Sequence, residues 1–396
     1  MSKAEDAIFT RRRLLLVGYA FLAANIAAFA IRFYAGHWLV DKAGNLNFTD
    51  FFDWWIGSRV ALDRNAEAVY NFSAFSAAQA LVTKIPPPVS YFPYLYPPTM
   101  LLLFAPISRL PCVTGFFVWI ATTLCLFVVA LYAIVPDTLL IVLALMPLPV
   151  LKCVVGGDSS FMMAGLLGLS LVSIGRRPYL SGICIGILTY KPQFVLFFPL
   201  ALLITGQWRV IAGATASALL FAGAAALVFG SNVWLLYFRS LQTLNPATLL
   251  PPNLKGLDQT VLGMMHQAGA GPVAAWVVHL AVALIITALA CRIWTQPVPH
   301  SLKAAAFSIG VLSVTPHMFA YDLTALSIPA AFLVADAVAH GFVPGERLVL
   351  LGCFLALYLC FSFVIGPIVL LVLMGLVVWR VWQPTETSAA VASVPQ

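Results

Sequence analysis

The chain has 396 residues, 62% of them hydrophobic and only 9% charged, with a mean hydropathy of +0.98. Soluble domains carry roughly 25% charged residues, so this composition excludes a water-soluble globule of this length and a disordered chain alike. Lys and Arg number 21 against 14 Asp and Glu, a net charge of +7; no basic stripe with interleaved aromatics accompanies the excess, which argues against nucleic acid and reads instead as the positive-inside bias of a membrane protein. The apolar residues fall in many runs broken by Gly, Pro and Arg, without the alternation of a membrane β-barrel. The composition therefore defines an all-α polytopic membrane protein.

Arg11, Arg12 and Arg13 precede the first apolar run, 14–34. Ala28-Phe29-Ala30 imitates a signal-peptide cleavage site, but the run continues through Ile31 and many spans follow. It reads as an uncleaved first helix with its N-terminus in the cytoplasm. Residues 35–95 form a large first extracytoplasmic loop holding five of the fourteen acids: Asp41, Asp50, Asp53, Asp63 and Glu67. Within it, 51–62 and 73–84 read as helices lying at the interface, the second ended by Ile85-Pro86-Pro87-Pro88.

Later apolar runs fall near 96–108, 112–135, 137–151, 159–175, 179–205, 209–230, 272–294, 301–319, 321–341, 346–364 and 366–382. Lys191-Pro192 near the middle of 179–205 marks that run as broken or re-entrant. Residues 231–271 make a second long extracytoplasmic loop, and 383–396 a disordered cytoplasmic tail. Residues 1–382 thus form one integral membrane domain of about 10–12 helices. One tension remains. Arg109 and Arg176–Arg177 lie on the same side only if an even number of crossings separates them, whereas three apolar runs do. Either one run is re-entrant or one Arg site faces outward.

The seven cysteines show no C-x-x-C spacing and read as small buried hydrophobes. No G-x-G-x-x-G, P-loop, H-E-x-x-H or G-x-S-x-G occurs, so the chemistry falls to a substrate that brings its own activation. Ionisable groups inside a membrane domain are costly and are functional candidates by default. Asp137, Asp336 and Glu346 sit at run ends, where the interface solvates them. Asp50, Asp53, Asp158 and Asp322 remain. Asp50 and Asp53 share a helix face, and one of them is a candidate carboxylate base, unless Thr49 or Asp50 serves as the N-cap. Pro316, His317, Tyr321 and Asp322 cluster at a second break. Lys191, followed by Gln193, is placed either to meet a phosphate or to snorkel. No acidic set clearly fits a metal and no cofactor is expected, although Asp50 and Asp53 leave a divalent metal open.

Asp50-Phe51-Phe52-Asp53-Trp54-Trp55-Ile56-Gly57-Ser58-Arg59-Val60-Ala61-Leu62, then Ala68-Val69-Tyr70, resembles the D-F-x-x-[YW]-x-x-[AG]-x-R-x-x-L … Y opening of the bacterial glycosyltransferase family 87, formerly the DUF2029 group. Tyr94-Leu95-Tyr96-Pro97-Pro98 with Phe104-Ala105-Pro106 and Leu110-Pro111, Tyr190-Lys191-Pro192-Gln193 with Trp208-Arg209, and Pro316-His317 with Tyr321-Asp322-Leu323 resemble three further elements in order. One segment departs: the family often has G-Q-N where this chain reads Gly156-Gly157-Asp158. The resemblance implies a GT-C fold, a multi-helix membrane body with the catalytic Asp in its first extracytoplasmic loop. It implies a polyprenyl-phosphate sugar donor, often mannose, a lipid or glycan acceptor, and a site on the periplasmic side of the bacterial inner membrane. Asp50 matches the catalytic acid, with Asp53 as the fallback. Lys191 and His317 would lie near the donor phosphate, with Arg59, Tyr96, Gln193, Asp158, Tyr321 and Asp322 as further substrate-binding candidates. The rivals are a transporter or lipid flippase, which would want inverted repeats that are not visible here, and a non-catalytic membrane scaffold.

Overall fold

The computed structural model describes residues 9–47, 49–63, 66–84, 93–243 and 258–382. Among these the only β-structure is two isolated bridges, Val40 with Leu46 and Asp258 with Phe319; everything else regular is helical. The first helix, α1 (Arg11–Ala35), starts where the Thr10 hydroxyl accepts from the Arg13 amide and stops at Gly36 in the left-handed conformation. Four short helices follow: α2 (Asp50–Asp63), α3 (Glu67–Tyr70), α4 (Phe72–Thr83) and α5 (Pro98–Phe104). Then come α6 (Cys112–Ile134), α7 (Thr138–Leu145), α8 (Leu148–Gly156), α9 (Ser160–Ser173), α10 (Pro178–Ile187), α11 (Phe197–Ile204), α12 (Trp208–Phe229) and α13 (Val233–Thr243). The rest are α14 (Val261–Gln267), α15 (Pro272–Thr295), α16 (His300–Val314), α17 (Ser327–His340), α18 (Glu346–Ala356) and α19 (Gly366–Trp382).

Among the described residues five helices are long and apolar enough to cross a membrane: α1, α6, α12, α15, and α17 extended by the 3-10 turn Ala320–Leu326. The run at 137–151 becomes α7 and α8, bent by 70° where Pro147 removes a backbone donor. The remaining expected spans are shorter, α9, α10, α11, α16 and α19 among them.

The ends of these helices resolve the parity of the arginines. Arg11 pairs with Asp137 at 2.6 Å, so the start of α1 and the end of α6 share one end of the bundle. The turn Ile107–Arg109 packs on α2 instead, and the Trp55 indole donates to the Leu110 carbonyl at 3.1 Å. All three runs between Arg109 and Arg176 are kept, and Arg109 stands at the end where α2 lies. The run at 179–205 is broken at Lys191-Pro192, between two 3-10 turns. Gly182 packs on Val210 and Gly213, and Gly186 on Ala214 and Ser217. The register rises together, so α10 and α12 run parallel and α11 doubles back between them. Gly182 is obligatory because a Cβ there would strike the Val210 carbonyl oxygen.

Packing departs from the sequence reading at two places. Helix α2 buries Phe51, Phe52, Trp54, Trp55, Ile56, Gly57, Ser58, Val60 and Ala61, far more than an interfacial helix needs. Its aromatics join Phe104, Phe116, Trp119 and Tyr96 in edge-on pairs such as Phe51–Phe116 at 5.3 Å and Trp54–Tyr96 at 5.3 Å, the favoured geometry for aromatic quadrupoles. Asp336 and Glu346 are not solvated run ends. They are 3% and 0% exposed and share Arg380, whose guanidinium lies 2.7 Å from Asp336 and 2.5 Å from Glu346. A carboxylate this buried persists only with a paired cation, and α19 supplies one to α17 and α18. The seven cysteines are free; five are buried as expected, but Cys353 is partly buried and Cys125 exposed.

Candidate active site

Helix α2 begins at Asp50 because the Thr49 hydroxyl accepts from the Phe52 amide at 3.1 Å. Thr49 is the cap, which releases the Asp50 carboxyl from that duty. The first turn of α2 presses on the C-terminal end of α8, where Gly157 has φ +72°. A Cβ at Gly157 would come within 2.5 Å of the Phe51 Cβ. Only glycine allows both the left-handed backbone and this approach. The next residue, Asp158, is 1% exposed, and its carboxyl lies within hydrogen-bonding reach of Asp50. Its Oδ1 has no protein partner. Burial first, then the charge and contact of Asp50, hold the Asp158 carboxyl well above the usual carboxylate range, while Lys191 works the other way.

Lys191 occupies the break between the 3-10 turns Leu188–Tyr190 and Pro192–Phe194. It does not snorkel. It is 2% exposed, and its Nζ donates to Asp322 Oδ1 at 2.9 Å. The Tyr190 hydroxyl donates to the Ser159 carbonyl at 3.1 Å, which fastens the break to the start of α9. Asp322 lies in the turn Ala320–Leu326. Besides Lys191 it accepts from the Ser160 hydroxyl at 2.8 Å and the Phe319 amide at 3.1 Å. These three contacts tie its carboxyl to the fold and hold Lys191 in the break. The ring of Tyr321 lies 5.5 Å from Lys191 Nζ, and Tyr321 and Tyr96 both face Asp50, Asp158 and Asp322. Burial and these acids raise the Tyr96 hydroxyl well above its ordinary pKa, so it remains a neutral donor.

The structure thus gathers Asp50, Asp158, Asp322, Lys191, Tyr96 and Tyr321. Other candidates stand apart. Asp53 turns to α4, where Gln79 Nε2 donates to its Oδ1 at 2.8 Å; burial, followed by the charge of Asp50, raises its pKa well above normal. Gln193 is partly buried in the same break as Lys191. His317 is partly exposed, with Nδ1 3.4 Å from Asp258 Oδ2. Arg59 is not brought to the acids. Nine residues after Asp50, it projects from the opposite side of α2, lies over the Trp55 ring at 5.2 Å, and lines a groove of about 410 Å³ with Ile56, Val60, Leu81 and Val82.

Three residues that the sequence reading passed over support the site. Asp258 bridges to the His317 segment and takes the Thr260 amide at 3.1 Å. Gln79 holds Asp53. Gln259 accepts from the Ile365 and Gly366 amides and donates to the Cys360 and Phe363 carbonyls. A buried glutamine with four backbone partners leaves no periodic signal in sequence. Among the described residues no group of three or more His, Cys, Asp or Glu side chains is placed to hold a metal ion.

The partly exposed Asp50 carboxyl, the buried Asp158 carboxyl and the tethered Lys191 cation meet at breaks in an apolar helical body. Such a set can take a proton at one point and meet an anion at another. The glycosyltransferase family 87 model matches residues 94–316, more than half of the chain, and the protein belongs to that family. The matched stretch holds Tyr96, Asp158, Lys191 and Gln193; Asp50, Arg59, His317, Tyr321 and Asp322 lie outside it. No curated protein and no solved structure matches the chain.

Proposed function

We propose that this glycosyltransferase moves a hexosyl group, in the first instance mannosyl, from a polyprenyl-phosphate donor to a hydroxyl of a lipid or glycan acceptor. The reaction takes place at the extracytoplasmic face of the bacterial inner membrane. Asp50 takes the proton of the acceptor hydroxyl. That oxygen forms a bond to the anomeric carbon, the bond from this carbon to the phosphate oxygen breaks, and polyprenyl phosphate leaves with the electron pair from the opposite face, so the anomeric centre inverts. Lys191 meets the leaving phosphate: one N–H is spent on Asp322, and an ammonium has others to offer. His317 stands on the adjoining turn as a second donor. Arg59 takes no part, because it faces away.

The observation that carries this reading is the convergence of Asp50, Lys191 and Asp322, which lie far apart in sequence, at one end of the helical body. The test is transfer from radiolabelled polyprenyl-phosphate-mannose in membranes holding wild type or Asp50→Asn. Loss of a positioned general base costs roughly 10²–10⁴-fold, and a loss of that size is expected at equal expression. Equal product from both would sink Asp50 as the base.

A further inference from the structure

The acids gathered here, the partly exposed Asp50 and the buried Asp158 and Asp322, outnumber the cations around them. Asp50, Asp158 and Asp322 face one ammonium, Lys191, which Asp322 already holds at 2.9 Å. An incoming phosphodiester adds another negative charge. Charges out of water repel strongly, so a doubly ionised Asp50–Asp158 pair would oppose the donor. Two carboxyls in hydrogen-bonding reach of each other are both acceptors when ionised and attract only when a proton lies between them. The unpartnered, buried Oδ1 of Asp158 is the other mark of a group whose partner is not a protein donor.

We propose that Asp158 is a positioning residue that keeps one proton, which it shares with Asp50, so that the proposed base works as half of a carboxyl dyad. The inference rests on Asp50 being the base. In the resting dyad, Asp158 is the neutral acid and donates to the Asp50 carboxylate. This orients the free Asp50 oxygen toward the acceptor and holds the pocket one negative charge below its full ionisation. During transfer Asp50 receives the acceptor's proton and Asp158 keeps its own, so the proton count balances without a further acid. The groups facing Asp158 are Asp50 on α2, Lys191 in the break after α10, Asp322 and Tyr321 in the turn before α17, Tyr96 ahead of α5, and Cys153 on α8. Lys191 alone favours its ionised form. The raised pKa of Asp158 agrees with this geometry.

Loss of that proton at alkaline pH adds a charge where the donor phosphate arrives. The donor KM is therefore expected to rise by about tenfold per pH unit once Asp158 ionises, as one linked proton requires, while kcat changes less. In Asp158→Asn the alkaline rise in KM is absent; in Asp158→Ala, which removes the hydrogen bond to Asp50, transfer falls at every pH. An Asp158→Asn enzyme with the wild-type alkaline rise overturns the proposal.

A second measurement needs no activity. Infrared difference spectra of the purified protein at neutral pH, wild type minus Asp158→Asn, are expected to contain the carbonyl band of a protonated carboxylic acid. Wild type minus Asp50→Asn is expected to show that same band displaced. A carboxylate band in place of the acid band, or an undisplaced acid band, means that no proton is shared. Should wild type fail to transfer from the polyprenyl-phosphate donor, the functional reading falls while the spectra still decide the dyad.

Discussion

Asp50 and Asp53 share one turn of α2 and differ in their neighbours. Asp53 is held by Gln79 at 2.8 Å and burial raises its pKa; Asp50 meets Asp158 at the foot of α8. A carboxyl with a raised folded-state pKa keeps its proton to higher pH than the unfolded chain does. In the interval between the two values the folded state binds more protons, so stability falls as pH rises. Asp53→Asn removes that loss. Its melting temperature in detergent, relative to wild type, is expected to climb from acid to neutral pH, and its transfer activity to fall by less than about tenfold, against roughly 10²–10⁴-fold for Asp50→Asn. The reverse ranking would hand the role of base to Asp53. Much at this scale was legible in the sequence, because acids and a lysine at breaks in so apolar a chain are conspicuous. The Asp50–Asp158 contact was not, since it arises from two helix ends meeting in space. The position of Arg59 was readable and was passed over: nine residues at about 100° per residue lead to the far side of a helix.

At the scale of elements, Pro192 announced the break at 191–192, whereas the run at 137–151 read as unbroken although Pro147 stands in it; Gly182 and Gly186, four apart, fit the close approach of α10 to α12. What the sequence withheld was which ends are fastened together. Gly157 fastens α8 to α2. Gly157→Ala imposes a left-handed backbone on a residue with a Cβ, about 1–2 kcal/mol, and drives that Cβ against Phe51. Lower thermal stability together with reduced transfer is expected, because α2 carries Asp50 away from Asp158 as it shifts. Wild-type activity in a folded Gly157→Ala protein would show that the dyad tolerates separation. Gln259 fastens the turn between α18 and α19 to the bridge of Asp258 with Phe319. Gln259→Leu strands backbone groups worth about 1–3 kcal/mol each when buried and unsatisfied. A fall of several degrees in melting temperature is expected, and an unchanged melt would mean that water replaces the side chain.

Over the molecule, the buried charges of the described residues fall in two clusters. One is the acid-rich centre. The other holds Asp336, Glu346 and Arg380, buried within α17, α18 and α19, with Ser301 donating to Asp336 at 2.9 Å. The exposed Arg11–Asp137 pair contributes little by comparison, as surface ion pairs do. Breaking a buried pair costs about 3–5 kcal/mol because it strands an uncompensated charge, and Arg380 answers two carboxylates. Arg380→Met is therefore expected to melt well below wild type. Adding Asp336→Asn and Glu346→Gln to Arg380→Met is expected to recover a large part of the loss, since the stranded charges go with their cation. The two clusters are joined only by the packed helices, so the folded fraction of Arg380→Met is expected to keep the donor KM and the pH profile of wild type. Equal melting temperatures for Arg380→Met and wild type would mean that water reaches the cluster. A changed donor KM would mean that strain at this cluster is transmitted through α17 to Asp322, and through it to Lys191.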